Sequence, residues 1–310
     1  MVKSKNSIKY KLRRIILGSI AAFFSILFLF PTIITITNSF ISTEEIAVDY
    51  GKIFESKDSE SDADSSSGTS MVKQFMAKKV RIKLIPDMVS LKQYKQLFVE
   101  SPDYLFKFWN SVILVVPITI FQLVVALLAS YSFMRTRGRL KEIIFFLYII
   151  VMLMPYQVTL VPNYLVAKWI GILNTNWAIW LPGIFSPFAV FLLTKYMRRV
   201  PVSLIESARL DGAREWDVFL KICIPLCKSA MVSVGMLIFI DYWNMVEQPI
   251  ILLSDVTKYP LSVFLSKINS ESIGLAFAVA TVYMVPSLLM FLYGEDYLVE
   301  GISVSSGLKG

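Results

Sequence analysis

An all-helical polytopic membrane protein with six spans is the fold class this sequence predicts, and three observations predict it. Apolar residues make up 55% of the 310, and the mean hydropathy is +0.62, so helices in lipid rather than one water-excluded core fill the volume. Six apolar stretches, at 15–37, 111–134, 143–161, 177–193, 229–253 and 274–293, have spanning length. The cations are divided unevenly between the segments that join them. The N-terminus, the loop at 135–141, the loop at 195–228 and the C-terminal tail together hold 18 Lys and Arg, and the two short loops on the opposite side hold 3. By the positive-inside rule both termini and the 195–228 loop face the cytoplasm. The other ten cations lie among eleven acids between 42 and 107, in a loop long enough to translocate whatever its charge.

Residues 1–14 form a basic cytoplasmic segment with Lys3, Lys5, Lys9, Lys11, Arg13 and Arg14. The apolar run at 15–37 is too long for a signal-peptide core and shows no small-x-small cleavage site, which predicts a retained first helix. An external loop follows at 38–107. Its stretch at 55–70 is rich in Ser, Asp and Glu and reads as a disordered linker. Order is expected to resume near Ile82, because Leu91, Tyr94, Leu97 and Phe98 repeat at helical spacing. The core is placed at 108–294, including a cytoplasmic loop at 198–228, and a tail at 295–310.

Within the core, the second span closes on Ala129-Ser130-Tyr131-Ser132-Phe133-Met134-Arg135. Gly171-Ile172-Leu173-Asn174-Thr175 marks a turn-rich outer hairpin. Pro155, Pro182 and Pro187 are helix kinks, tolerated where neighbouring helices satisfy the freed carbonyls. In the fifth span Asp241, Asn244 and Gln248 follow i, i+3, i+7 and share one helical face, with Trp243 and Glu247 adjacent. Polar groups at this depth face a wet pathway or a protein interior. The face therefore either lines a solute route or packs polar-to-polar on a second subunit.

Several function classes are excluded. No histidine is present, which removes the usual general base and the commonest metal ligand. The glycines never fall in the P-loop pattern, so any ATP hydrolysis belongs to another chain. No nucleophile-base pairing or ligand cluster appears. The net charge of +8 follows the cytoplasmic loops and forms no nucleic-acid groove. Cys223 and Cys227, one helical turn apart on the cytoplasmic side, are expected to be reduced.

One polar island organises the rest. Ser203 stands three residues before Glu206, the spacing of a capping box, so a helix is expected to start there. It runs to Gly212, a residue suited to the left-handed turn that closes a helix. A second helical segment, 213–224, continues toward Pro225. Arg198, Arg199, Arg209, Asp211, Arg214, Glu215 and Asp217 keep the whole stretch out of the bilayer.

Glu206, Ser207, Ala208, Gly212, Ile222, Ile224 and Pro225 together resemble the "EAA" loop of the membrane subunits of ATP-binding-cassette importers. That motif is glutamate-alanine-alanine, three residues, glycine, nine residues, then isoleucine-x-leucine-proline. Ser207 and Ile224 depart from it, both as small changes. Trp109-Asn110-Ser111, the 129–135 stretch and the 171–175 string are similar to stretches of the carbohydrate, maltose-type branch. Gly294-Glu295-Asp296 stands where that branch is usually written with glutamine and arginine.

The resemblance implies a type I permease fold and a permease subunit of an ATP-driven carbohydrate importer in the bacterial cytoplasmic membrane. Its partners would be a second homologous permease, two ATPase subunits that carry ATP and magnesium, an external solute-binding protein and the lipid bilayer. This chain itself would bind no cofactor, metal or nucleic acid. Ser203, Glu206, Ser207, Ala208, Asp211, Gly212, Ile222 and Pro225 would couple to the ATPase. Asp241, Trp243, Asn244 and Gln248 would line the path, and Tyr259, Pro260 and Leu261 would lie against the binding protein. A permease for a non-sugar solute, or an ATP-independent transporter or channel, are the alternatives.

Overall fold

The computed structural model describes residues 8–42, 45, 88–100, 102–136, 138–267 and 273–306. The linker at 55–70 and the start of order at Ile82 lie outside them. The chain divides into two compact units, Met1–Pro102 with Ile268–Val282, and Asp103–Lys267 with Tyr283–Gly310. Every candidate residue belongs to the second.

In the first unit, α1 (Ile8–Asn38) exposes apolar residues such as Ile15, Phe23, Ile26 and Phe28 along its length, as a helix solvated by lipid does. Just beyond its end an isolated antiparallel bridge joins Ile41 to Val89. Ser90 N donates to Phe40 O at 2.8 Å. Ser39 Oγ lies 2.7 Å from Tyr94 OH, which fixes α2 (Lys92–Lys95) and its π turn (Gln96–Glu100) against the end of α1.

The second unit is a bundle. Its helices are α3 (Pro102–Arg135), α4 (Arg139–Met152), α5 (Tyr156–Trp169), α6 (Trp177–Ile184), α7 (Pro187–Met197), α8 (Val202–Leu210), α9 (Glu215–Val218), α10 (Ile224–Leu226), α11 (Lys228–Trp243), α12 (Glu247–Leu252) and α13 (Leu261–Ser266). The last helix, α14 (Ile273–Ser306), runs past the predicted end of the sixth span at 293 into the predicted tail. Four helices are long and apolar enough to cross a membrane, or six if each of two bent pairs is one span. Among the described residues no strand forms.

Helix breaks correct two predicted straight spans. The 143–161 stretch is two helices, α4 and α5, meeting at 101°. Pro155 caps the second with φ −58° and ψ 136°, because its ring forbids a helical approach from the residue before it and it has no N–H to give. The same constraint puts Ser186 in extended backbone, φ −122° and ψ 115°, ahead of Pro187, and separates α6 from α7. The 229–253 span ends as a helix at Trp243, and α12 carries Pro249. The carbonyls freed there are satisfied by side chains: Tyr283 OH donates to Trp243 O at 2.7 Å and Ser262 Oγ to Met245 O at 2.5 Å. That accounting is obligatory in a medium without water.

Two apolar cores fill the bundle. One joins Leu114, Val115 and Ile118 of α3 to Phe239, Trp243, Leu252, Tyr259 and Val263. The other joins Ala126 and Leu127 to Val190, Leu193, Met197, Ile205, Val218, Cys223, Cys227 and Val234. Both cysteines are buried and free. Gly294 lets α14 approach α11 so closely that a Cβ there would sit 1.9 Å from Met236 Sδ, and Met236 is 1% exposed. Gly294→Val is expected to lower stability by about 1–3 kcal/mol through overpacking, read as a drop in the thermal midpoint of the purified protein. Gly18→Val, at a position with nothing within 4 Å, is the control and leaves the midpoint in place.

Candidate functional site

The island at 201–228 is a short helix, a turn and a second, interrupted helix. The capping box is not formed. Pro201 is the N-cap of α8 and makes no side-chain cap, so Ser203 already lies inside the first turn. Its carbonyl accepts Ser207 Oγ at 2.8 Å. Helix entry is set by Pro201, which presets the backbone before Val202.

The exit agrees with expectation and gives the motif spacing a physical cause. Gly212 has φ +83°. Ala213 N donates to Ala208 O at 2.9 Å and Gly212 N to Arg209 O at 3.0 Å. These are the 6→1 and 5→2 bonds of a Schellman closure, whose companion is an apolar contact between the same two positions. Ala208 and Ala213 both pack against the core that holds Ile205. A small residue at 208 and a glycine four residues later are what that closure requires.

Only Ile205 of α8 is buried. Ser203, Glu206 and Leu210, at i, i+3 and i+7, share the outward face. Glu206 is exposed with no ion-pair partner among the described residues, and Leu210 is 89% exposed. This outward face therefore carries an exposed leucine one turn from an exposed carboxylate. Asp211 is the C-cap of the helix and is exposed.

The second segment was expected to be one helix over 213–224. It starts at Glu215 after Arg214 in extended backbone, and opens into a π turn (Phe219–Cys223) directly before Pro225. The widened turn relieves the clash that a proline ring makes with the carbonyl four residues earlier. Ile222 packs half-buried against the core. Lys221 pairs with Asp217 at 2.7 Å one turn apart, which holds the Asp217 carboxyl below the usual range.

Sequence reasoning missed the residue that ties this loop down. The Glu215 carboxylate accepts Tyr131 OH at 2.8 Å and pairs with Arg135, both at the end of α3, while Arg209 of α8 reaches it at 3.3 Å. Tyr131 also packs on Phe219 at 5.0 Å. The acid-plus-basic pattern was visible, but nothing in it told which of the loop's four acids faces α3.

A cavity of about 810 Å³ lies between α3, α4, α5, the α6–α7 break and the end of α11. Asp241 and Gln248 both line it, although the helix break at Asn244 puts them on separate elements and not on one helical face. Trp243 does not line it. It is 1% exposed, stacked on Phe239 at 5.4 Å and Tyr283 at 5.6 Å, with Nε1 donating to Tyr283 O. Asn244 is occupied by Ile240 O at 2.8 Å and Tyr283 OH at 2.9 Å, and also lies outside the lining. Tyr156, Thr159, Asn163 and Tyr242 supply the lining that the sequence reading did not name.

At the outer end, Tyr259, Pro260 and Leu261 are buried and so are not themselves a contact surface. The exposed residues are Val256 and Thr257 just before them. Asn110 Nδ2 donates to Thr257 O at 2.7 Å, and Leu261 N donates to Ser111 Oγ at 2.9 Å. Asn174, at φ +61°, accepts Asp255 N at 3.0 Å, and Lys258 Nζ donates to its carbonyl at 2.7 Å. The Asn-Ser pair and the 171–175 string thus serve to latch one loop.

Residues 122–295 match the family model described as "Binding-protein-dependent transport system inner membrane component". The chain is similar to the arabinooligosaccharides transport system permease protein AraQ of Halalkalibacterium halodurans, 27% identical over 230 residues, 73% of this chain and 81% of that protein. It is similar to the polygalacturonan/rhamnogalacturonan transport system permease protein YtcP of Bacillus subtilis, 28% identical over 246 residues, 73% of this chain and 84% of that protein. A crystal structure of a bacterial ABC transporter involved in the import of the acidic polysaccharide alginate shares the fold, with a TM-score of 0.72 at 18% identity, covering 94% of this chain and 98% of that one.

Gly212→Val is expected to cost about 1–2 kcal/mol, because a β-branched residue is strained at a left-handed backbone position. The readout is faster amide exchange at 208–213 with the rest of the bundle unchanged. In the outer loop, Asp255 accepts from the Thr257 hydroxyl and amide, which holds its carboxyl below the usual range. The stabilisation is full above the ordinary carboxylate pKa and is lost as pH falls through the lower folded value. Limited proteolysis of the loop should therefore accelerate on acidification in the native protein, and be fast and pH-independent over that window in Asp255→Ala.

Proposed function

Because the chain belongs to the family of binding-protein-dependent transport system inner membrane components, we propose that it is the permease subunit of an ATP-driven importer for an oligosaccharide. It forms the translocation path with a second, related permease. Two cytoplasmic ATPase subunits drive it and an external solute-binding protein feeds it, with both of its termini in the cytoplasm. Relatives named for oligosaccharide transport support the solute class. They handle neutral and acidic sugars alike, so relatedness leaves the charge of the solute open.

The observation that carries the reading is the outward face of α8. Glu206 and Leu210 stand free in water on a helix that is itself fastened to the bundle by Ile205 and by the Arg209–Glu215–Arg135 chain. An ATPase cleft that closes on this face would move α8, and the carboxylate would carry the displacement into α3. The spans then alternate between inward-open and outward-open states, biased by ATP binding at the partner. The cavity that Asp241 and Gln248 line is the segment of the path this subunit contributes. The exposed Val256 and Thr257, held by Asn110 and Asn174, are the ground on which the binding protein rests.

Affinity purification of the tagged chain from its native membrane tests the motor assignment. ATPase subunits should co-purify, and Glu206→Lys with Leu210→Asp should reduce them on the order of tenfold, the loss of one or two central contacts. Undiminished recovery, or solute uptake without nucleotide, would instead favour an ATP-independent transporter. Glu215→Gln should leave assembly intact and lower the solute moved per ATP by about tenfold, a change of roughly 1.4 kcal/mol in coupling. An unchanged ratio would remove the α3 relay.

A further inference from the structure

The cavity's electrostatics single out the kind of sugar it accepts. Its polar lining consists of Asp241 and neutral hydroxyl or amide groups, among them Tyr156, Thr159, Asn163 and Gln248, and none of the described lining residues is a lysine or arginine. Asp241 is the one carboxylate among the described lining residues. One positive element faces the cavity, the N-terminus of α7, since Ser186, Pro187 and Phe188 line it. An open helix N-terminus would favour an anion. Here little of it is left: Pro187 has no N–H, the Ser186 hydroxyl accepts the Ala189 N–H at 3.4 Å and the Ser186 carbonyl the Val190 N–H, so that of this turn only the Phe188 N–H has no acceptor among the described residues. The cations of the 195–228 loop belong to the cytoplasmic side of the spans and do not line the cavity.

Resting on the oligosaccharide reading above, we propose that this cavity passes neutral oligosaccharides and turns away uronate-containing ones, with Asp241 as the charge filter. A neutral sugar offers hydroxyls to Asn163, Gln248 and the carboxylate, and apolar ring faces to Tyr156 and Tyr242. A uronate brings one carboxylate per residue into a space that already holds one and offers no cation to pair it. In a medium of low polarizability that repulsion is felt across the whole width of the cavity.

The test uses the full complex, this chain with its partner permease, ATPase subunits and binding protein, in proteoliposomes. Arabinotriose, maltotriose, trigalacturonate and trimannuronate are offered together at equal concentration, and the lumen is read by mass spectrometry. Neutral trisaccharides should enter in excess of acidic ones on the order of tenfold, and Asp241→Asn should narrow that ratio about threefold or more, while Asp241→Glu keeps it. The ratio between solutes is insensitive to a simple loss of folded complex. Equal entry of both classes, or a ratio that Asp241→Asn leaves in place, overturns the proposal and leaves the oligosaccharide reading standing. Entry of neither class, with hydrolysis stimulated by a non-sugar solute, overturns both.

Discussion

The Glu215 carboxylate is the join on which this architecture depends. A nine-residue helix such as α8 is too short to persist in water by itself, and it buries only Ile205. Its position is defined because Arg209 reaches Glu215, which accepts Tyr131 and pairs with Arg135 at the end of α3. Each side chain in these pairs is about 40% exposed, so a single pair contributes on the order of 1 kcal/mol or less. The value of the cluster is geometric. It links α8 through Glu215 to the end of α3, an apolar helix long enough to cross a membrane.

Proline supplies the complementary constraint. In the bundle Pro155, Pro187 and Pro249 sit at or beside breaks that leave α4, α6 and α11 shorter than a continuous span. Interrupted helices expose backbone, and in lipid each exposed carbonyl needs a partner. Tyr283 and Ser262 fill that role at the end of α11, and the α6–α7 break lines the cavity itself. The cavity and several of the polar groups that line it thus lie at the same helix breaks. The outer loop is held by the side chains of Asn110, Ser111 and Asn174.

Charge is partitioned along the same axis. The chain carries a net +8, concentrated in the segments that the positive-inside rule places in the cytoplasm, while the cavity is lined by a carboxylate and no cation. On the readings proposed above, the first distribution orients the protein and the second acts on what passes through it.

Much of this was legible in the chain as written. The all-helical membrane fold class follows from hydropathy, because in a membrane apolar length decides what can span, but the breaks inside the predicted 143–161 and 229–253 spans do not. The turn at Gly212 was readable because a Schellman closure is local, needing only residues within six positions of one another, whereas the π turn at Phe219–Cys223 interrupts a segment that read as one helix. What the sequence could not decide was contact between distant segments. It placed Ser203 as a cap where Pro201 does the work, put Trp243 on a pathway when its ring is stacked between Phe239 and Tyr283, and set Tyr259, Pro260 and Leu261 on a surface where they are core. Glu215 lies 80 and 84 positions from its partners Arg135 and Tyr131, and no periodic signal joins it to them. A side chain's direction after a helix break depends on packing against neighbours far along the chain, and only the tertiary structure holds that information.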